Sequence, residues 1–110
     1  MRAPETDALI ANAAAIYAQR RQALIEALAA YDIAARGRSG LNVWVPLSSE
    51  LEVVQSMLEA GWAISAGERY RLKSPPAVRI SVASLLLDEA QRLAADLARS
   101  IAPRRRSHSA

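Results

Sequence analysis

Apolar side chains recur every three or four residues in the first part of this chain, which predicts a long helix from Asp7 to about Tyr31. Its apolar stripe consists of Leu9, Ala13, Ile16, Leu24, Leu28 and Tyr31. Arg20 and Arg21 interrupt the stripe, and the acidic Glu5 suits the positive end of the helix dipole. Such a helix spans about 37 Å. Its first half therefore has little of this chain to lie against, although a strong helix former or a self-association surface would also be rich in alanine.

After Gly37 and Gly40 the apolar residues alternate with polar ones, which predicts strands. An extended piece at 33–36 precedes a strand at 41–47, which places Leu41, Val43, Val45 and Leu47 on one face and Asn42 and Trp44 on the other. Three further strands are predicted at 62–66, 70–73 and 78–83. A turn at Gly67 joins the first two. The last candidate turns Val78, Ile80 and Val82 toward a core and Arg79, Ser81 and Ala83 toward a polar face.

Two more helices follow from the same periodicity. Ser49 and Glu52 have the spacing of a capping box, which predicts a helix that begins there and ends at Gly61. Its inward residues are Leu51, Val54, Met57 and Leu58. The last helix is predicted from about Leu87 to Ile101, and Pro103 ends it. Its inward residues are Ala90, Leu93, Leu97 and Ile101.

The order helix, strand, helix, two or three strands, helix predicts an α+β fold. We expect a small, mainly antiparallel sheet with helices packed on one face, preceded by the long N-terminal helix. A chain of 110 residues buries roughly two-thirds of its unfolded surface, enough for one core. We assign residues 1–102, including the helix at 1–31, to one small domain and residues 103–110 to a disordered basic tail.

Charge and composition exclude several kinds of function. The net charge of +3 comes from Arg104, Arg105 and Arg106, because the 11 other basic residues match the 11 acidic ones. Three phosphate contacts give only weak and non-specific binding, so we expect no direct nucleic-acid partner. Cysteine is absent and His108 is the single histidine, which leaves no pattern for a metal site, a disulfide or a catalytic triad.

The apolar segment at 8–18 follows acidic residues, where a secretory signal would carry positive charge. The chain contains no run of about 18 apolar residues, which is the length needed to span a membrane. We therefore expect a cytoplasmic location and no membrane partner.

Arg79 is the candidate binding residue, because it stands in the middle of a predicted strand directly after Ser74-Pro75-Pro76. Proline fixes its own φ and holds the residue before it in an extended conformation, so the approach to this strand is stiff. A guanidinium on such a rigid element suits bidentate capture of a carboxylate. The alternative interpretation is a solvated arginine on a strand surface. The sequence offers no candidate catalytic, cofactor-binding or metal-ligating residue.

The segments SGLNVWVPL at 39–47 and YRLKSPPAVRIS at 70–81 carry a family resemblance that extends over nearly the whole chain. The chain resembles the C-terminal small domain of fold-type-I pyridoxal-phosphate aminotransferases. It is most similar to the version fused to DNA-binding heads in the MocR branch of GntR-type transcriptional regulators. The resemblance implies that Arg79 binds the α-carboxylate of an amino acid. It also implies a longer parent protein, a homodimer whose large domain binds pyridoxal phosphate and is the partner of this small domain.

The cofactor chemistry of that family needs a Schiff-base lysine, an acidic partner for the pyridine nitrogen and phosphate-holding residues, all in the large domain. Lys73 is the only lysine of this chain, and no family motif places the Schiff-base lysine there. It alternates with Arg69 and Arg71, which is typical of the basic face of a strand. We therefore expect this chain alone to be no enzyme and to hold no cofactor.

The chain departs from the family at the start of the last helix, where a Ser or Thr followed by Pro is usual and this chain has Leu86 and Leu87. Losing the cap costs about 1 kcal/mol. Three interpretations stay open: the helix begins later with Asp88 as its cap, the leucines are buried against a neighbour, or the sequence has drifted.

Three hypotheses of function remain. The first is a C-terminal fragment of an aminotransferase-like protein, a transcriptional regulator of the MocR type or an aminotransferase, that contributes Arg79 to an amino-acid site. The second is a free-standing amino-acid-binding module, and the third is an interaction module that associates through the long helix.

Trp44 and Trp62 are expected to pack in a core or interface. Asn42 reaches the polar face near Arg79 only if the strands of Asn42 and Arg79 are neighbours.

Overall fold

The structure is a computed structural model that describes residues 4–37, 40–67 and 76–107. In chain order its elements are α1 (Pro4–Ala29), β1 (Asn42–Pro46), α2 (Glu50–Glu59), β2 (Ser65–Ala66), β3 (Ala77–Ser81) and α3 (Leu87–Ser107). The predicted α+β class is confirmed. The predicted strand at 70–73, with Lys73, lies outside the described residues.

The three strands form an antiparallel sheet in the order β1-β3-β2, so β3 is central. Across β1 and β3, Val43 pairs with Ile80 and Val45 with Val78. The extended piece predicted before β1 is present as an isolated bridge between Arg36 and Trp44. Of the predicted strand at 62–66, only the last two residues form β2, because only they pair with β3.

The core lies on one face of this sheet, as the alternation predicts. Its buried residues come from all three helices and all but the shortest strand, and include Leu24, Leu28, Val43, Val45, Val53, Met57, Val78, Ile80, Leu93, Ala94 and Leu97. The predicted inward residues of β3 are all buried, and Ser81 and Ala83 are exposed. The helices therefore cover one face, and the opposite face carries the polar side chains of the strands.

Among the residues of α1 whose burial is described, 12–29, those that are buried in this core lie in the second half of the helix. Leu24 and Leu28 are fully buried, whereas residues 12–19 contain no buried side chain and Ile16 is 44% exposed. Tyr31, predicted on the apolar stripe, is exposed as well. The stripe was wrong at Ile16 because the domain is shorter than the helix, whose 26 residues span about 39 Å. It was wrong at Tyr31 because the helix ends at Ala29 and Tyr31 lies in the turn that follows. Among the described residues, neither α1 nor another helix has the length and apolar character needed to cross a membrane.

A left-handed residue ends α1. Asp32 has φ 60°, and the N–H groups of Asp32 and Ile33 donate to the carbonyls of Ala29 and Leu28 at 3.0 Å. This is the hydrogen-bond pattern of a Schellman motif, and the buried pair Leu28 and Ile33 supplies its usual apolar contact.

Gly61 ends α2 as predicted. It has φ +100°, and Trp62 N–H donates to Met57 O at 2.8 Å. Ser49 is the N-cap residue, but its side chain makes no capping hydrogen bond, so the predicted capping box is wrong. The predicted inward positions Leu51 and Leu58 are also wrong, since they are 63% and 57% exposed. The side of α2 that meets the core is defined by Glu50, Val53 and Met57.

The last helix begins at Leu87, so the alternative of a later start with Asp88 as the cap is wrong. The Glu89 carboxylate accepts a hydrogen bond from Leu86 N–H at 2.9 Å, which satisfies one backbone donor without a Ser or Thr cap. Leu86 and Leu87 are exposed, whereas Leu85 is buried. The expectation that Pro103 ends the helix is wrong as well. Residues 103–107, assigned to a disordered tail, belong to α3.

Candidate functional site

Arg79 lies in the middle of the central strand, on the sheet face opposite the helices. Its partners across the two strand pairings are Trp44 of β1 and Ser65 of β2. Residues paired in this way point to the same face, so these three side chains form one row across the sheet. The prediction that Arg79 lies on the polar face of its strand is therefore confirmed. The site is built on a strand that has a neighbouring strand on each side.

The Arg79 side chain is only partly exposed. Its Nε atom is buried, and its Nη2 atom donates to Ser65 Oγ over a long 3.5 Å contact. Because its Nε atom is buried and its residue belongs to a central strand, the guanidinium has little freedom to change direction. It can therefore present its donors to a planar anion such as a carboxylate, for which the guanidinium geometry is suited.

Trp44 forms an aromatic wall beside Arg79. A Cβ atom added to Gly67 would lie 3.1 Å from Cζ3 of Trp44 and 2.7 Å from the carbonyl oxygen of Ala77. Since Gly67 follows β2, on the far side of β3 from β1, the indole ring must reach across the central strand next to Arg79. The ring therefore lies close to the backbone of Ala77, two residues before Arg79 on the same face.

Two charged side chains contact the ends of β3. The Glu50 carboxylate at the start of α2 is 7% exposed, and its Oε2 accepts a hydrogen bond from Ala77 N–H at 2.9 Å. At the other end, Arg20 of α1 donates from Nη1 to the carbonyl of Ala83 at 2.7 Å and to that of Val82 at 3.4 Å. The strand that carries Arg79 is thus tied to both α1 and α2.

The structure brings Asn42 to the same face, because β1 and β3 are neighbours and Asn42 pairs with Ser81, two residues along from Arg79. The sequence alone leaves this pairing open, and it contains no signal that marks Ser65, Glu50 or Trp44 as parts of the site. The alternation placed Trp44 on the polar side of its strand, but only the register shows which residue it faces.

Trp62 belongs to a different cluster. Its Nε1 donates to Asp96 Oδ2 at 2.7 Å, and the Arg92 guanidinium lies 5.1 Å from the centre of its ring. Asp96 also forms an ion pair with Arg99, one turn further along α3. These contacts fasten the residue after α2 to α3, so Trp62 has a packing role, as the sequence predicts.

Within the described ranges, no group of three or more His, Asp or Glu side chains could hold a metal ion. The described residues also contain no lysine, so they provide no amine for a Schiff base. The arrangement around Arg79 is suited to binding an anion. None of the described neighbours of Arg79 gives this residue a role in forming or breaking a covalent bond.

No protein-family model matches this chain. Among curated proteins, the chain is similar to the vitamin B6 salvage pathway transcriptional repressor PtsJ of Salmonella typhimurium strain LT2. The two sequences are 31% identical over 96 residues, which cover 86% of this chain and 22% of the repressor. The chain thus spans less than a quarter of the length of this relative, and the similarity concerns that segment of the repressor alone.

Proposed function

We propose that this chain is the C-terminal small domain of a longer, aminotransferase-like transcriptional regulator of the MocR branch, in which Arg79 binds the α-carboxylate of an amino acid. The observation that carries the proposal is the position of Arg79. It lies on the central strand, on the face opposite the described helices, between Trp44 and Ser65. The similarity to a transcriptional repressor of vitamin B6 salvage supports the choice of a regulator over an enzyme.

The strand context supports a binding role over a solvated surface role. A surface arginine is normally free to turn into water, whereas Arg79 has a buried Nε and lies beside an aromatic ring. Ordering a long side chain before the ligand arrives removes part of the entropy cost of binding. The Arg79 side chain is therefore already ordered before a carboxylate binds, whereas an arginine that moves freely in water is not.

The described residues do not fit pyridoxal phosphate by themselves, since they include no lysine. We therefore assign the cofactor to a large domain of the parent protein and derive no reaction step in this chain. In this proposal the parent is a cytoplasmic homodimer, and the small domain closes over the cofactor-bearing domain so that Arg79 faces the amino acid.

Titration of the ¹⁵N-labelled chain with glycine tests the role of Arg79. Two charge-assisted hydrogen bonds barely exceed the cost of association, so we expect a dissociation constant in the range of roughly millimolar or weaker. The Arg79 Nε resonance should shift with glycine and not with methylamine, which lacks a carboxylate. The Arg79→Lys variant keeps the charge but loses the planar fork, and we expect its affinity to fall at least several-fold.

In Arg79→Lys the titration is followed at the backbone amides of β3, and an affinity for glycine equal to that of the original chain would refute this role. The genomic reading frame tests the parent. An uninterrupted frame upstream of the Met1 codon that encodes a lysine-bearing large domain supports it, and a winged helix further upstream supports the regulator. An in-frame stop codon close to Met1 would contradict the proposal of a longer protein.

A second candidate is an interaction module that associates through α1. The observation that favours it is the absence of buried side chains at residues 12–19, where Ile16 is 44% exposed. Light scattering distinguishes this candidate, because an interaction module should form dimers at micromolar concentration and lose them in Ile16→Glu. A monomer at all accessible concentrations would exclude it.

A further inference from the structure

Glu50 is the one acidic residue among the buried polar side chains of the described part of the chain, and the face of α2 that it shares is otherwise apolar. It is the first residue of α2, where the helix dipole favours a negative charge. Removing a carboxylate from water is costly unless hydrogen bonds compensate it. Its bond from Ala77 N–H at 2.9 Å gives part of that compensation and connects α2 to β3.

The geometry of the sheet explains why Ala77 needs this partner. In an antiparallel strand, successive N–H groups point to opposite sides. Val82 N–H points to β1, since it donates to Leu41 O, so the N–H of Ala77 points to the β2 side. Within the described residues, the β2–β3 pairing stops at Ala66 and Val78, one residue short of Ala77. The Glu50 carboxylate therefore takes the place of a strand neighbour at this position.

We propose that Glu50 is a positioning residue for the carboxylate site: its bond to Ala77 fixes the start of β3 and, through it, the direction of the Arg79 guanidinium. This inference rests on the proposed function, in which Arg79 binds a carboxylate. Ala77 is two residues before Arg79, and its side chain lies on the same face. A shift of the strand at Ala77 is therefore passed directly to Arg79. Arg20 ties down the opposite end through the carbonyl groups of Val82 and Ala83.

Three variants of the whole chain test this role. Glu50→Ala removes the acceptor, and Glu50→Gln keeps a carbonyl oxygen of the same reach. The matched control is Val53→Ala, which weakens the packing of the same buried face of α2 without touching the bond to Ala77. Circular dichroism first establishes the temperature at which all three variants are folded, and the other measurements are made there.

The first readout needs no ligand. Losing a hydrogen bond to a charged group should accelerate amide exchange at Ala77 about tenfold in Glu50→Ala, beyond the change at amides of α3. The ¹⁵N heteronuclear NOE of Arg79 Nε should fall in the same variant. Glu50→Gln should restore most of both values. Val53→Ala should accelerate exchange at Ala77 and in α3 alike and leave the Arg79 NOE nearly unchanged.

The second readout is the glycine titration, in which we expect Glu50→Ala to weaken binding several-fold and Glu50→Gln to retain it. The inference is overturned if Glu50→Ala changes the exchange of Ala77 and the Arg79 NOE no more than Val53→Ala does. It is also overturned if glycine binds the original chain and Glu50→Ala equally well. If glycine does not bind the original chain, the proposed function fails, and the ligand-free readout still decides the role of Glu50.

Discussion

Gly67→Ala should destabilise the chain, although alanine normally stabilises the position of a glycine whose backbone it can adopt. The added Cβ would lie 2.7 Å from the carbonyl oxygen of Ala77, closer than folded proteins tolerate, and 3.1 Å from the Trp44 ring. Neither neighbour can move easily, because one is backbone of the central strand and the other is an indole lying across it. Overpacking of this kind costs about 1–3 kcal/mol. The reduced entropy of the unfolded chain returns about 0.4–1 kcal/mol, so with a steric cost in the middle of its range, about 2 kcal/mol, we expect a net loss of roughly 1–1.6 kcal/mol.

Urea denaturation followed by circular dichroism measures this loss. With a slope of about 1–2 kcal/mol per molar urea, the midpoint should fall by roughly 0.5–1.6 M. Trp44→Val in the same chain removes the ring but leaves the Ala77 carbonyl in place. The cost of Gly67→Ala should therefore be smaller in the Trp44→Val background, with part of it remaining.

Gly40→Ala is the control for this cycle. Gly40 has φ +75° and open space around its Cβ position, so alanine there strains the backbone without a steric clash. Its cost should be the same whether or not Trp44 is present. The account of Gly67 is refuted if Gly67→Ala is as stable as the original chain, or if its cost is independent of Trp44.

Two further predictions concern local contacts outside the site. Asp32→Gly should raise the free energy of unfolding by about 0.5 kcal/mol and Asp32→Ala should lower it by a similar amount, because φ 60° suits glycine best and aspartate better than alanine. Thermal unfolding checks this order, and a more stable Asp32→Ala would contradict it. Trp62→Phe should cost about 1 kcal/mol by removing the bond from Nε1 to Asp96 Oδ2. In an Asp96→Asn background the same change should cost less, and an equal cost in both would show that the bond contributes nothing.

Local patterns predicted the elements and their faces well where one side of a segment is clearly apolar. The alternation around Arg79 predicted which residues of β3 are buried, and all of them are. Gly61 ended α2 as expected, because a left-handed residue after a helix is a local requirement that glycine meets without strain. The polar face and the placement of Arg79 on it followed from the same short-range information.

The same patterns failed to predict burial where the domain is too small to cover an apolar residue of a helix. Leu51, Leu58 and Ile16 have helical spacing but are exposed, because the domain is too small to cover every apolar position of its helices. Periodicity shows which residues share a side of a helix, whereas burial depends on what lies opposite. Pro103 does not end the last helix either, since α3 continues past it to Ser107.

The sequence by itself therefore determined the α+β class, the strand with its outward arginine and the order of the elements along the chain, since these depend on periods of two and 3.6 residues and on turn residues. Only the tertiary structure decided that Trp44 faces Arg79, that the indole ring lies against Gly67 and that Glu50 bonds to Ala77. These contacts join residues far apart in the chain, 27 positions in the last case. Strand order and register determine them, and both depend on how the whole core packs, which no local pattern encodes.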